Sequence, residues 1–206
     1  MNFNEREYLI KNVQYKSPKP AIFLDRDGVI IEDKHYISNP FDVKLEEGFK
    51  YFLSKIINFN LPIVVITNQS GISRGMFTWN DYDKVTRRMI DLIDKPCPIV
   101  AIYANSHLKR NNNNWRKPNP HMLYTAAKKL NLDLSRSILI GDRLSDIKAG
   151  INARTRMAFH LQTGHGQKER ESVKNLKEHQ DSSSDTRTTE ILLLNSLIEF
   201  PFDVLN

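Results

Sequence analysis

Residues 21–28 read Ala-Ile-Phe-Leu-Asp-Arg-Asp-Gly, and the abrupt change from four apolar residues to a pair of carboxylates decides the fold. A short, unbroken apolar run closed by a turn residue marks a strand buried on both faces, as in a parallel sheet. The pattern recurs downstream at 61–67 (LPIVVIT), 98–104 (PIVAIYA), 137–142 (SILIGD) and, with more polar residues, 155–161 (TRMAFHL). Helical spacing fills the intervals at 48–59, 79–94, 120–132 and 144–153. Strands alternating with helices predict an α/β fold: a Rossmann-like parallel sheet of order 3-2-1-4-5 with helices on both faces. Ligands of such sheets bind beyond the carboxyl ends of the strands, so the polar residues that close each apolar run are the candidates for chemistry.

The rest of the chain bounds the alternatives. Its 206 residues, 40% hydrophobic and 26% charged, suit a single domain spanning 1–206. No apolar stretch is long enough to cross a membrane, and the charged start MNFNEREYLIKN lacks the apolar core of a signal peptide, so a cytoplasmic protein with no membrane partner is expected. The single cysteine, Cys97, excludes a disulfide framework and a zinc site built on several thiolates; its expected role is packing. Thirty Lys and Arg against 24 Asp and Glu give a net charge of +6. The excess is uneven, with 25 basic and 16 acidic residues in 1–166 but 5 and 8 in 167–206, and it peaks in 101–156 with 11 against 3. Either a solvated basic surface or a phosphate-facing site accounts for that peak. Residues 167–189 are polar and partly Ser-rich, which predicts an exposed insertion or partly disordered linker, and 190–200 (EILLLNSLIEF) reads as a C-terminal packing helix.

Four strand ends carry the reactive side chains. After the first strand, Asp25 and Asp27 flank Arg26, and Gly28 lets the chain turn so that both carboxylates converge. One carboxylate can attack phosphorus to give an aspartyl phosphate, while the other protonates the departing oxygen and later deprotonates water. After the second strand come Thr67, Asn68, Gln69 and Ser70, a hydroxyl followed by backbone amides that can cup phosphoryl oxygens, with Arg74 able to reach a second anionic group. Arg116 and Lys117 precede the third helix; the lysine can neutralise charge on a transferring phosphoryl group and the arginine can grip a phosphate. The fourth strand ends in Asp142 and Arg143, with Asp146 in the next helical turn. In the order 3-2-1-4-5, Asp142 stands beside Asp25 and Asp27, and acids so close require a cation, for which Mg²⁺ is the oxygen-seeking choice. Asp146 is either an outer ligand or an acid favoured at a helix start.

Together, DRDG (25–28), TNQSG (67–71), RKP (116–118) and GDRLSD (141–146) resemble the haloacid-dehalogenase-type phosphohydrolases from about Ala21 to Gly166. More narrowly, DRDGVI, TNQSGISRG, WRKPNP, IGDRLSDIKAG and TGHG (163–166) are similar to the D-glycero-D-manno-heptose 1,7-bisphosphate phosphatases and the related histidinol-phosphate phosphatases, and ILLLNSL resembles the closing helix of the heptose enzymes. The resemblance implies Asp25 as nucleophile, Asp27 as general acid/base, Thr67 and Lys117 on the phosphoryl group, and Mg²⁺ held by Asp25, the Asp27 carbonyl and Asp142. It also implies no large cap domain, since 41 residues separate Asp25 from Thr67. Two departures stand out. Many members carry a Cys/His zinc loop before RKP, where this chain has only His107, so no zinc is expected; and Arg143 replaces the usual lysine after GD.

The expected activity is removal of the 7-phosphate of a heptose bisphosphate through an aspartyl phosphate, in the synthesis of nucleotide-activated heptose for surface polysaccharide. Histidinol phosphate or another small metabolite is the nearest alternative. Polynucleotide 3'-phosphatases also resemble TNQxGIxRG, but the chain has neither a GxxxxGK[ST] kinase motif nor a basic tract interleaved with aromatics. The expected partner is therefore a phosphorylated small molecule rather than nucleic acid, acting on a monomer.

Overall fold

The computed structural model describes residues 3–93, 95–108, 114–182 and 189–206. Its strands are β1 (Glu5–Leu9), β2 (Ile22–Leu24), β3 (Ile63–Asn68), β4 (Ile99–Asn105), β5 (Ile138–Gly141), β6 (Met157–Leu161) and β7 (Glu190–Leu194), joined in the order β1-β4-β3-β2-β5-β6-β7. The inner five run parallel in the expected 3-2-1-4-5 order. Two edge strands widen it: β1 is antiparallel to β4, so the sheet is mixed, and β7 is parallel to β6.

The helices are α1 (Phe49–Ile56), α2 (Ser70–Ser73), α3 (Trp79–Leu92), α4 (His121–Leu130), α5 (Leu144–Ala153) and α6 (Gly166–Asp181). Alternation along β2 shows how they sandwich the sheet. Ile22 and Leu24 join Phe52 of α1 and Val85 and Met89 of α3 in one core, while Phe23 joins Met122 and Leu123 of α4 and Ala149 of α5 in another. Because both faces are covered, β2 is apolar at every position, and each such side chain contributes about 1.5–3 kcal/mol on burial. The start of α3 is fixed by a capping box in which the Asp81 N–H donates to Thr78 Oγ1 and the Thr78 N–H to Asp81 Oδ2. Among the described residues no helix is long and apolar enough to cross a membrane.

Two expectations are corrected. Residues 167–181 of the expected insertion are helical, belonging to α6, while 183–188 lie outside the described residues. The inward stripe of α6 runs through Gly166, Arg170, Val173 and Lys177, which have helical spacing, but two of the four are cations. Arg170 donates to the carbonyls of His160 and Leu194, and Lys177 to that of Ile191 at 2.8 Å, so charged heads fill places where apolar periodicity is sought. Residues 190–194 of the expected terminal helix form β7. Ile191 and Leu193 pack towards α6 and Leu192 and Leu194 towards the opposite core, so both faces are apolar and the run carries no period to separate strand from helix. The chain does pack back: a 3-10 turn at Leu197–Glu199 leads to Phe200, which stacks on Phe52 and Phe159 at centroid distances of 5.1 and 4.9 Å.

Candidate active site

At the carboxyl ends of β2, β3 and β5 a cavity of about 270 Å³ opens, and its lining includes Asp25, Asp27, Gln69, Arg116, Lys117 and Arg143. The register of the sheet sets its floor. The Asp25 N–H donates to the Ile140 carbonyl at 3.0 Å, which brings the end of β2 alongside Gly141-Asp142.

Lys117 is 2% exposed, with Nζ 2.9 Å from Asp25 Oδ1 and 2.7 Å from Asp146 Oδ1. Burial works against its charge, but Asp146 and Asp25 outweigh it and hold the ammonium above the usual lysine range. Asn68 clips the loop that carries it: the Lys117 N–H donates to Asn68 Oδ1 at 3.1 Å, and Asn68 Nδ2 donates to the Lys117 carbonyl at 3.2 Å. Asp146, in the first turn of α5, accepts the Arg143 N–H at 3.0 Å, so it caps the helix while its other oxygen meets Lys117.

Asp142 is fully buried. Its Oδ2 accepts the His165 N–H at 2.7 Å, whereas Oδ1 has no hydrogen-bond partner. Burial, then Asp25 and Asp146, pushes its carboxyl up to about 9, and burial, opposed by Lys117, pushes that of Asp25 to about 6. One oxygen from each of Asp25, Asp142 and Asp146 lies within 4.8 Å of the others. Buried carboxylates crowded together, with an unsatisfied oxygen among them, fit a hard divalent cation such as Mg²⁺. Small backbone keeps the place open: Gly28 has φ +80°, and a Cβ there would sit 2.7 Å from Asp142 Oδ2.

Asp27 is held by residues whose part the sequence reading missed. Arg26, 1% exposed, donates through Nη2 to Asp27 Oδ1 at 2.9 Å and to Gln69 Oε1 at 3.0 Å. Gln69 in turn donates through Nε2 to Asp27 Oδ2 at 2.8 Å and to Thr67 Oγ1 at 2.7 Å. Gln69, read as a substrate contact, thus braces the acid and the strand-end hydroxyl. An arginine between two aspartates at the end of a buried strand was the available signal for this network.

Two arginines line the mouth and a third adds its charge. Arg116 is half-buried, donating to the His107 carbonyl at 2.9 Å, and burial together with Arg74 and Arg143 holds its guanidinium below the usual range. Arg143 and Ser70 line the cavity; Arg74, exposed after α2, is not part of the lining and bears on it through its charge. His107 lies 3.4 Å from Glu5 Oε1 and, among the described residues, joins no cluster of three metal-ligating side chains; residues 109–113 of the same loop lie outside those residues. Cys97 is free and half-buried against the core.

A HAD-hydrolase-like family model matches residues 114–184. The chain is 39% identical over 142 residues to the D-glycero-beta-D-manno-heptose-1,7-bisphosphate 7-phosphatase of Mesorhizobium japonicum, a match that covers 65% of each chain. It is 36% identical to the enzyme of that name from Helicobacter pylori, over 66% of this chain and 80% of the relative. With the D-glycero-alpha-D-manno-heptose-1,7-bisphosphate 7-phosphatase of Campylobacter jejuni it shares 39% identity over 65% of this chain and 77% of the relative. The crystal structure of the D,D-heptose 1,7-bisphosphate phosphatase from B. bronchiseptica, complexed with magnesium and phosphate, superposes with a TM-score of 0.66 at 25% identity, covering 87% of this chain and 94% of that one. On these matches, more than a third identical over most of the relatives' length, the chain belongs to the D-glycero-D-manno-heptose-1,7-bisphosphate 7-phosphatase family of HAD-like hydrolases.

Proposed function

We propose that the protein is a Mg²⁺-dependent phosphatase that hydrolyses the 7-phosphate of D-glycero-D-manno-heptose 1,7-bisphosphate, supplying nucleotide-activated heptose for surface polysaccharide. The observation that carries this reading is the convergence of Asp25, Asp27, Lys117 and the Asp142 cluster in a cavity also lined by Arg116 and Arg143, with the charge of Arg74 felt at Arg116. One phosphate of the substrate enters the floor; the arginines hold the other.

Asp25, ionised above about pH 6, attacks phosphorus and becomes the aspartyl phosphate. Asp27 gives its proton to the departing sugar oxygen, then takes one from the water that cleaves the acyl phosphate. Arg26 and Gln69 hold that carboxyl in place through both transfers, with bonds of 2.9 and 2.8 Å. Lys117 and the Thr67 hydroxyl meet the phosphoryl oxygens as negative charge gathers on them. Asp25, the Asp27 backbone carbonyl and Asp142 would hold Mg²⁺, with Asp146 behind them, and the bound ion would supply charge neutralisation to the phosphoryl group. We read the protein as a cytoplasmic monomer acting on small molecules: a cavity of about 270 Å³ suits a sugar phosphate better than a polynucleotide end.

The test is phosphate release from both anomers of the bisphosphate, from histidinol phosphate and from a 3'-phosphorylated oligonucleotide, with and without Mg²⁺. The heptose bisphosphate should be turned over fastest, only with Mg²⁺, and Asp25→Asn should abolish release. Faster turnover of histidinol phosphate or the oligonucleotide would overturn the substrate assignment, and an active Asp25→Asn enzyme the mechanism.

A further inference from the structure

Asp33, His35 and His165 take no part in the chemistry above, yet all three line the cavity. Asp33 and His35 stand on the loop after β2, and His165 on the turn into α6. His165 Nε2 lies 3.0 Å from Asp33 Oδ2, the two imidazole rings are 5.3 Å apart between centroids, and one ligand atom from each of the three falls within 4.8 Å of the other two. The backbone bends to achieve this: His35 and Tyr36 are consecutive left-handed residues, with φ +46° and +64°, a conformation that costs about 1–2 kcal/mol for a residue bearing a side chain. Asp33 Oδ1 accepts the His35 N–H at 2.9 Å and holds the turn, while Oδ2 faces His165.

We propose that Asp33, His35 and His165 form a second metal site, separate from the buried carboxylate cluster, that takes a divalent transition ion and presents its open coordination positions to an anionic oxygen in the cavity. Two imidazoles and one carboxylate favour Zn²⁺, Co²⁺ or Ni²⁺, whereas the all-oxygen set of Asp25, Asp142 and Asp146 favours Mg²⁺. Metal bonds of about 2.0–2.2 Å place neighbouring ligands about 3–3.5 Å apart, a spacing that Asp33 and His165 already have. His35, on an exposed side chain, closes the remaining distance. Three protein ligands leave room for an exogenous one, as in catalytic rather than structural sites. Arg143 stands beside the cluster, its Nη2 3.6 Å from Asp33 Oδ2; its side chain is 41% exposed and can turn towards the incoming anion. The site owes nothing to the loop before Trp115, and it does not depend on which phosphate ester is the substrate.

Equilibrium dialysis of the metal-stripped full chain against Co²⁺, with Mg²⁺ in large excess to fill the carboxylate cluster, tests it. One Co²⁺ per chain should be retained, with the visible absorption of a nitrogen-ligated ion. His35→Gly, which suits the left-handed turn, and His165→Gln should each weaken Co²⁺ about tenfold or more, while both variants keep the wild-type rise in melting temperature on adding Mg²⁺. No Co²⁺ retained against excess Mg²⁺ would overturn the proposal, as would retention unchanged in both variants, because the ion would then sit elsewhere. A lost Mg²⁺ response in His35→Gly would also overturn it, by showing that the two clusters are one.

Discussion

Asp142 concentrates the conflict between fold and function in one side chain. Its carboxyl, pushed up to about 9, keeps its proton in the folded protein at pH values where the unfolded chain, with an ordinary carboxylate near pH 4, has released it. The native state therefore binds more protons than the unfolded state between those limits, so the stabilisation is present at acid pH and is lost as pH rises towards 9. Calorimetry in chelator should show the melting temperature falling from mildly acidic to mildly alkaline pH, and added Mg²⁺ should raise it most at the alkaline end, where a carboxylate is demanded. Asp142→Asn should remove the part of the pH dependence above about pH 6, leaving that of Asp25 below it, abolish the Mg²⁺ response and stabilise the chelated protein by about 1–2 kcal/mol. Stability unchanged by the substitution would show that the acid cluster is not strained. The acids that the structure gathers were legible in the sequence because Asp25 and Asp142 directly follow buried strands, with Asp27 and Asp146 a few residues on. The roles of Arg26 and Gln69 were not, since strand order sets the two residues side by side but does not say which way their side chains turn.

At the scale of elements, legibility followed the burial pattern. The inner strands declared themselves as unbroken apolar runs because both of their faces are covered, whereas β1, an edge strand reading Glu-Arg-Glu-Tyr-Leu, is half-exposed and held by the Arg6–Asp83 ion pair at 2.7 Å. A polar edge of this kind resists pairing with another sheet, and for the same reason it has no apolar signature. The helix α6 hides behind its cations. Arg170→Ala should cost about 1–2 kcal/mol in urea unfolding, because the carbonyls of His160 and Leu194 lose their donor, while Lys174→Ala, on the exposed side, should be nearly neutral. Equal effects at the two positions would mean that α6 is not anchored through Arg170.

Across the whole molecule, the basic excess counted along the chain resolves into a local field. Arg116 and Arg143 come from two different strand-to-helix connections and Arg74 from the segment after α2, and the sheet order brings their charges near one another. With a Debye length of about 10 Å at 0.1 M salt, such a field acts on an approaching dianion and is screened readily. Raising ionic strength should therefore raise KM for the bisphosphate several-fold with kcat nearly constant, and should do so less for a monophosphate; a fall in kcat instead would place the salt effect on the chemistry. The contact of Gly28 with the turn at Gly164 carries a different consequence. A Cβ on Gly164 would lie 2.8 Å from the Gly28 Cα, and Thr163 Oγ1 donates to the Gly28 carbonyl across 135 residues of chain. During synthesis the loop bearing Asp25 and Asp27 emerges early and its closing partner late, so a ribosome-bound chain exposes Gly28 before its neighbour exists. The wall that Gly164 and Thr163 give the Gly28 turn is in place only once residues 163–166 have been made, well after the loop they close.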